Sequence, residues 1–159
     1  MKYWLFKSEP DVFGIEHLKG LPNQTDHWDG IRNYQARNLL RDDIKQGDKV
    51  FFYHSNCKEP AIVGIMQVTR NGYPDHTAFD PEAHYYDPKS DPDNPRWYMV
   101  DVKYLRDFKR QVTLSELKKA PQLDGMTLLR RGNRLSVMPV SKDHWDFILQ
   151  LEKQPGKKT

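Results

Sequence analysis

Short apolar runs separated by polar, proline-bearing stretches set the reading of this chain. Tyr3 to Lys7 is aromatic-rich and predicts a first strand. Ser8-Glu9-Pro10 ends it, because proline restricts its predecessor and cannot donate to a ladder. Phe13, Ile15 and Leu18 predict a short helix that stops at Gly20. Leu21 to His27 is a polar loop. A second helix is expected from about Asn33, as N-cap, to about Asp43. Val50–Tyr53 and Ala61–Val68 read as an antiparallel pair of strands, with Gly64 marking a bulge or a close backbone approach. Trp97 to Phe108 alternates between apolar and polar and predicts a long strand.

Thr113-Leu114-Ser115-Glu116 has the form of a capping box, with Val112 and Leu117 placed as its staple. The helix it opens should stop before Pro121, and Met126–Arg130 supplies another helical turn. Arg131 to Val140 reads as a glycine turn and a last strand. Ser141 then caps a C-terminal helix with Trp145, Ile148, Leu149 and Glu152 at helical spacing. The pattern predicts an α+β fold, a small mixed β-barrel of about five or six strands with short peripheral helices. Residues 1–153 form one domain on this reading and 154–159 a basic disordered tail. Asn71 to Pro95 carries five prolines, which exclude a regular helix or central strand. It is either a solvated loop or a flap over a pocket.

Composition narrows the function. A net charge of +3 permits nucleic-acid binding without demonstrating it, and a strong electrostatic binder is more basic; if nucleic acid is the partner, part of the specificity has to lie in a pocket. The single cysteine, Cys57, excludes an intramolecular disulfide and suits a reducing compartment. The apolar N-terminal run is too short for a signal peptide, and no run approaches a membrane span. The expected location is cytoplasmic, with a nuclear one also open.

Catalytic motifs are absent: no H-E-x-x-H, paired C-x-x-C, G-x-S-x-G or phosphate loop occurs. His54 and Cys57 amount to half a zinc site, so neither metal nor cofactor is expected. The densest polar stretch is Trp28 to Leu40, where Arg32, Asn33, Tyr34, Arg37 and Asn38 leave a narrower apolar stripe than a structural helix shows. Trp28 follows a polar loop, whereas the other tryptophans sit in patterned elements. It is placed to stack on a planar ligand, and Ser8, Asn33, Asn38, His54 and Ser55, at strand ends and turns, are placed to read that ligand's edge. A wall-forming Trp28 predicts that Trp28→Ala lowers affinity and leaves the fold intact. Arg32 and Arg37, and the cluster Arg130, Arg131 and Arg134, are candidate phosphate contacts. Three readings stand: a non-catalytic reader of a modified base, a small-molecule or nucleotide sensor, and a nucleic-acid-processing enzyme with His54 as general base.

Six blocks resemble the EVE domain: K-S-E-P at Lys7–Pro10, W-D-G-I-R-N-Y-Q-A-R-N at Trp28–Asn38, F-F-Y-H-S-N-C-K-E-P at Phe51–Pro60, Y-P-D-H-T at Tyr73–Thr77, D-N-P-R-W-Y-M-V-D-V at Asp93–Val102 and R-L-S-V-M-P-V at Arg134–Val140. The resemblance runs from Tyr3 to about Glu152. It implies a PUA-like barrel, in one broad group with YTH and ASCH domains. It also implies a non-catalytic domain that binds DNA or RNA carrying a modified cytosine or adenine at the barrel mouth. Carried onto this chain, the pocket positions are Ser8, Trp28, Asn33, Tyr34, Asn38, His54, Ser55 and Ser136, with Arg134 beside the last strand.

Overall fold

Six strands form one mixed sheet in the computed structural model, which describes residues 1–155. Strand β1 (Tyr3–Ser8) runs parallel to β3 (Lys49–His54), with Ser8 opposite His54. On its other side β1 pairs antiparallel with β6 (Val137–Val140). Strands β3, β4 (Ala61–Pro74) and β5 (Tyr98–Thr113) form an antiparallel run, and β2 (Thr25–His27) lies on the outer side of β5. The order is β2-β5-β4-β3-β1-β6.

The central strands are buried on both faces, which is why they read as continuous apolar runs and not as alternation. Trp4, Leu5 and Phe6 of β1 are buried in succession, as are Val50 to Tyr53 of β3. Gly64 meets the expectation set for it. The register shifts beside it, and a Cβ there would lie 2.6 Å from the Arg106 carbonyl and against the Ile15 side chain. Helix α2 (Ile15–Lys19), which follows α1 (Pro10–Phe13), therefore packs directly on bare backbone.

Helix α3 (Tyr34–Asn38) is capped by Asn33, whose side chain accepts from the Ala36 N–H at 2.9 Å. It widens into a π-helical turn over Leu39–Asp43. Helix α4 (Leu114–Lys118) is capped by Thr113, but the expected reciprocal box does not form: the Glu116 carboxylate instead takes two hydrogen bonds from Arg110, each 2.7 Å. Helix α5 (Lys142–Lys153) is capped by Ser141 and stacks Trp145 on Phe51 at 3.7 Å. Its last turn buries Glu152, which accepts from both terminal nitrogens of Arg106 and from the Lys109 N–H. Burial opposes the charge on Glu152, but those donors outweigh it and hold the carboxyl below its ordinary value.

Three expectations need correction. The sheet is not closed by hydrogen bonds: β2 and β6 are its two edges, so a closed barrel is not what the pairing shows. Thr25–His27, read as loop, is an edge strand, held because β5 extends far enough to give it a partner. The irregular segment begins later than Asn71, since β4 stays paired with β5 as far as Pro74 opposite Tyr98. Of the tail expected at 154–159, Gln154 is held through its carbonyl by Arg110 at 2.5 Å, and residues 156–159 lie outside the described residues. No helix among the described residues is long and apolar enough to cross a membrane.

Candidate nucleic-acid interface

A cleft of about 600 Å³ opens where β1 ends, between the two edges of the sheet. One side comes from β2 and the loop after it: Asp26, His27, Trp28, Asp29, Gly30 and Ile31. The facing side comes from the approach to β6: Arg134, Leu135 and Ser136. Lys7, Ser8 and Ser55 line it from the ends of β1 and β3, and Val12 and Phe13 from α1. Glu9, just after β1, and His84 and Tyr85, from the proline-rich segment, complete the lining, so that segment does reach the cleft. A backbone bond from the Lys7 N–H to the Ser136 carbonyl, 2.8 Å, joins two of these walls.

Trp28 lines the cleft yet is only 7% exposed. Its indole packs against Phe6 at 5.4 Å, Phe52 at 5.5 Å and Phe13 at 6.0 Å, with interplanar angles of 48°, 85° and 81°. No neighbouring ring lies parallel to it in these contacts. The ring belongs to the core and to the cleft at once, so Trp28→Ala costs stability as well as affinity.

The wall beside Trp28 is acidic. His27 sits between two carboxylates, its Nδ1 3.3 Å from Asp26 and its Nε2 3.2 Å from Asp29. Burial pushes the Asp29 carboxyl up from its ordinary value; His27 pulls it back down, while Asp75 and Asp26 push it further up. Burial lowers the Lys7 ammonium across the cleft. The cleft thus offers carboxylate acceptors on one wall, serine hydroxyls on another, and Arg134 as a cation.

The structure brings Ser8, Trp28, Ser55, Ser136 and Arg134 together at the cleft. The other expected pocket residues are used elsewhere. Asn33 is spent on the α3 cap. Tyr34 is 53% exposed, with one side stacked on Trp97 at 4.9 Å and the Arg37 guanidinium 5.0 Å from its ring. Asn38 accepts from Arg37 Nε on the exposed face of α3. His54 Nε2 accepts from the Ile15 N–H at 3.1 Å, pinning the start of α2, and burial lowers its imidazole from the ordinary value. An imidazole committed as a backbone acceptor is a poor general base, so the enzymatic reading loses its main residue.

Of the expected phosphate contacts, Arg37 donates to the Arg96 carbonyl and Arg32 is turned inward to Asp75, while Arg130 and Arg131 stay exposed on the turn before β6. Sequence reasoning missed Asp26, His27, Asp29, Lys7 and Tyr85. The Asp29-Gly30 pair signalled only a turn, and its carboxylate was absorbed into that reading. Among the described residues no cluster of His, Cys, Asp or Glu is placed to hold a metal.

Comparison with known proteins matches residues 2–151 to the EVE domain. The chain is 48% identical over 172 residues to human "Thymocyte nuclear protein 1", an alignment covering 97% of this chain and 76% of that protein. It superposes on a crystal structure of human THYN1 in complex with 5-methylcytosine-containing DNA with a TM-score of 0.93 and 46% identity, covering 98% of this chain and all of the other. A YTH domain from Zygosaccharomyces rouxii MRB1, 19% identical with a TM-score of 0.50 over 99% of this chain and 88% of that one, shares the fold.

Proposed function

From the premise that the chain belongs to the EVE domain family, we propose that it binds nucleic acid carrying a modified base and holds that base without altering it. The observation that carries this is one cleft combining Trp28, the Asp29 carboxylate and Arg134. Those are the parts an extruded base needs: an aromatic surface, an edge reader and a phosphate contact. The similarity to a human protein crystallised with 5-methylcytosine DNA supports a methylated cytosine as the base.

The chemistry of the walls agrees with that choice. Cytosine presents its N4 amine as a donor, and a carboxylate is the natural acceptor for it. Asp29 supplies that acceptor, held in place by His27. Ser55 and Ser136 hydroxyls can donate to the ring nitrogen and carbonyl beside the amine, whereas the Ser8 hydroxyl donates to the Phe13 carbonyl at 2.6 Å and faces the cleft as an acceptor only. A 5-methyl group then meets the apolar part of the lining from Val12, Phe13 and Leu135. Arg134, with Arg130 and Arg131 on the same approach to β6, holds the flanking phosphates.

The test is a fluorescence-anisotropy titration of labelled DNA with one central 5-methylcytosine, against the same DNA with cytosine, at several salt concentrations. Tighter binding of the methylated strand at every salt concentration is expected. Equal affinities throughout would overturn the reading. Tighter binding of free 5-methylcytidine than of the oligonucleotide would move it toward a small-molecule sensor.

A further inference from the structure

Arg32 has a guanidinium with five N–H donors, and five hydrogen bonds leave it. Nε donates to the Tyr85 carbonyl at 3.2 Å. One terminal nitrogen donates to the Ile31 carbonyl at 3.1 Å and to Asp75 at 3.0 Å. The other donates to Thr77 Oγ1 at 3.3 Å and to the Tyr85 carbonyl at 2.6 Å. No donor remains for a phosphate unless an internal bond is given up. The same guanidinium lies 5.5 Å from the Tyr85 ring and 5.4 Å from the Trp97 ring.

These partners mark the start, middle and end of one segment. The segment is tied at its base by a 2.9 Å bond from the Asp75 N–H to the Trp97 carbonyl. Asp75 is fully buried and also accepts from the Gly30 N–H at 2.9 Å. Gly30 has φ +79°, and a Cβ there would lie 2.5 Å from the Tyr85 ring. Glycine at this position thus answers two needs, the left-handed backbone and the close approach of that ring. Tyr85 itself lines the cleft.

We infer that Arg32 is a positioning residue: it threads the Asp75–Trp97 segment, fixes Tyr85 against Gly30 as a wall of the cleft, and so sets base selectivity without touching phosphate. The inference rests on the reading above for the ligand, but the placement of Tyr85 is a property of the free protein and is testable without one.

The variants are Arg32→Lys, Arg32→Gln, Tyr85→Ala and the double Arg32→Lys/Tyr85→Ala substitution, each checked by thermal melting. Lysine keeps a cation beside Asp75 and loses the fork that reaches Tyr85. Hydrogen exchange in the absence of DNA is expected to show faster exchange across 80–90 in Arg32→Lys, and no change there overturns the inference. With the methylated and unmethylated DNA used above, the affinity ratio in Arg32→Lys is expected to fall about five-fold or more, the low end of one aromatic base contact. The double variant should discriminate no worse than Tyr85→Ala. In Arg32→Gln, which removes the cation, the slope of log affinity against log salt should stay as in wild type. A slope shallower by about 0.9, the loss of one phosphate contact on duplex DNA, with discrimination intact, overturns the inference. Wild-type protein that fails to discriminate refutes the base-reader reading instead, and the role of Arg32 is then decided by exchange and salt slope alone.

Discussion

Replacing Trp28 by alanine tests the double duty of that indole. The ring is 93% covered, 7% being its exposure, and its packing partners are Phe6, Phe13 and Phe52. Truncating a buried aromatic to alanine costs about 3–5 kcal/mol. Domains have about 5–15 kcal/mol of stability in total, so a typical one survives the change with a reduced margin. At this chain length each kcal/mol moves the melting temperature by about 2–4 °C, which gives a fall of about 6–20 °C. If the indole is also the base-stacking wall, affinity for methylated DNA drops by about 1–3 kcal/mol, or about 5–150-fold.

The two effects separate in the assay. Melting is followed by circular dichroism, and the titration is run well below the variant's melting point, so that only folded protein is compared. Trp28→Phe serves as the intermediate, keeping a ring while shrinking it. A Trp28→Ala protein that melts within 2 °C of wild type would show that the packing argument is wrong. Folded Trp28→Ala that binds methylated DNA as tightly as wild type would show that the indole is no part of the recognition surface.

Three further outcomes are expected. Asp29→Asn replaces a pure acceptor by an amide that also donates, so preference for cytosine-type over thymine-type bases should relax by about 1–3 kcal/mol in competition titrations; unchanged preference excludes Asp29 as edge reader. Arg134→Ala should weaken methylated and unmethylated DNA alike and flatten the salt slope by about 0.9, and an unaltered slope removes Arg134 from the phosphate path. His54 is lowered from its ordinary value of 6.5 by burial, so on acidification the unfolded chain takes up the proton first and stability falls as pH drops below 6.5 toward the folded value. His54→Gln keeps an acceptor for the Ile15 N–H and removes that titration. Its melting temperature should therefore fall less between pH 7 and pH 5 than the wild-type value, and equal falls would exclude His54 as a source of acid sensitivity.

How far the sequence discloses this molecule depends on which physical signal each element leaves. Strands β1 and β3 and helix α5 announce themselves because burial leaves long apolar runs or helical periodicity at Phe51, Phe52, Trp145 and Ile148. Asn33 and Ser141 are legible as caps because a helix start needs an acceptor at that position. Strand β2 leaves no such trace. Thr25, Asp26 and His27 are half-buried and polar, and only the overhang of β5 makes them a strand. The site is partly legible for a related reason. Trp28 and the serines were found because their positions after loops and strand ends are visible locally. The placement of His54 under α2 and of Arg32 inside a distant loop depends on partners 39 and 43–53 residues away, and nothing local encodes them.

The cleft follows from the sheet's failure to close. Exposed strand edges invite pairing with another chain, and proteins blunt them by keeping them short or by placing charge or proline there. Both edges here do so: β2 has three residues, including Asp26 and His27, and β6 has four, including the exposed Pro139. The lining of the cleft draws on both edges, so the gap that a barrel would seal with hydrogen bonds is floored by Trp28 and ringed by polar groups. Asp26 and His27, the polar residues that keep β2 from acting as an open edge, also line the cleft, next to Asp29 just beyond the strand. Mutating Asp26 toward a better strand former should, on this argument, strengthen the edge at the expense of the recognition proposed for the cleft.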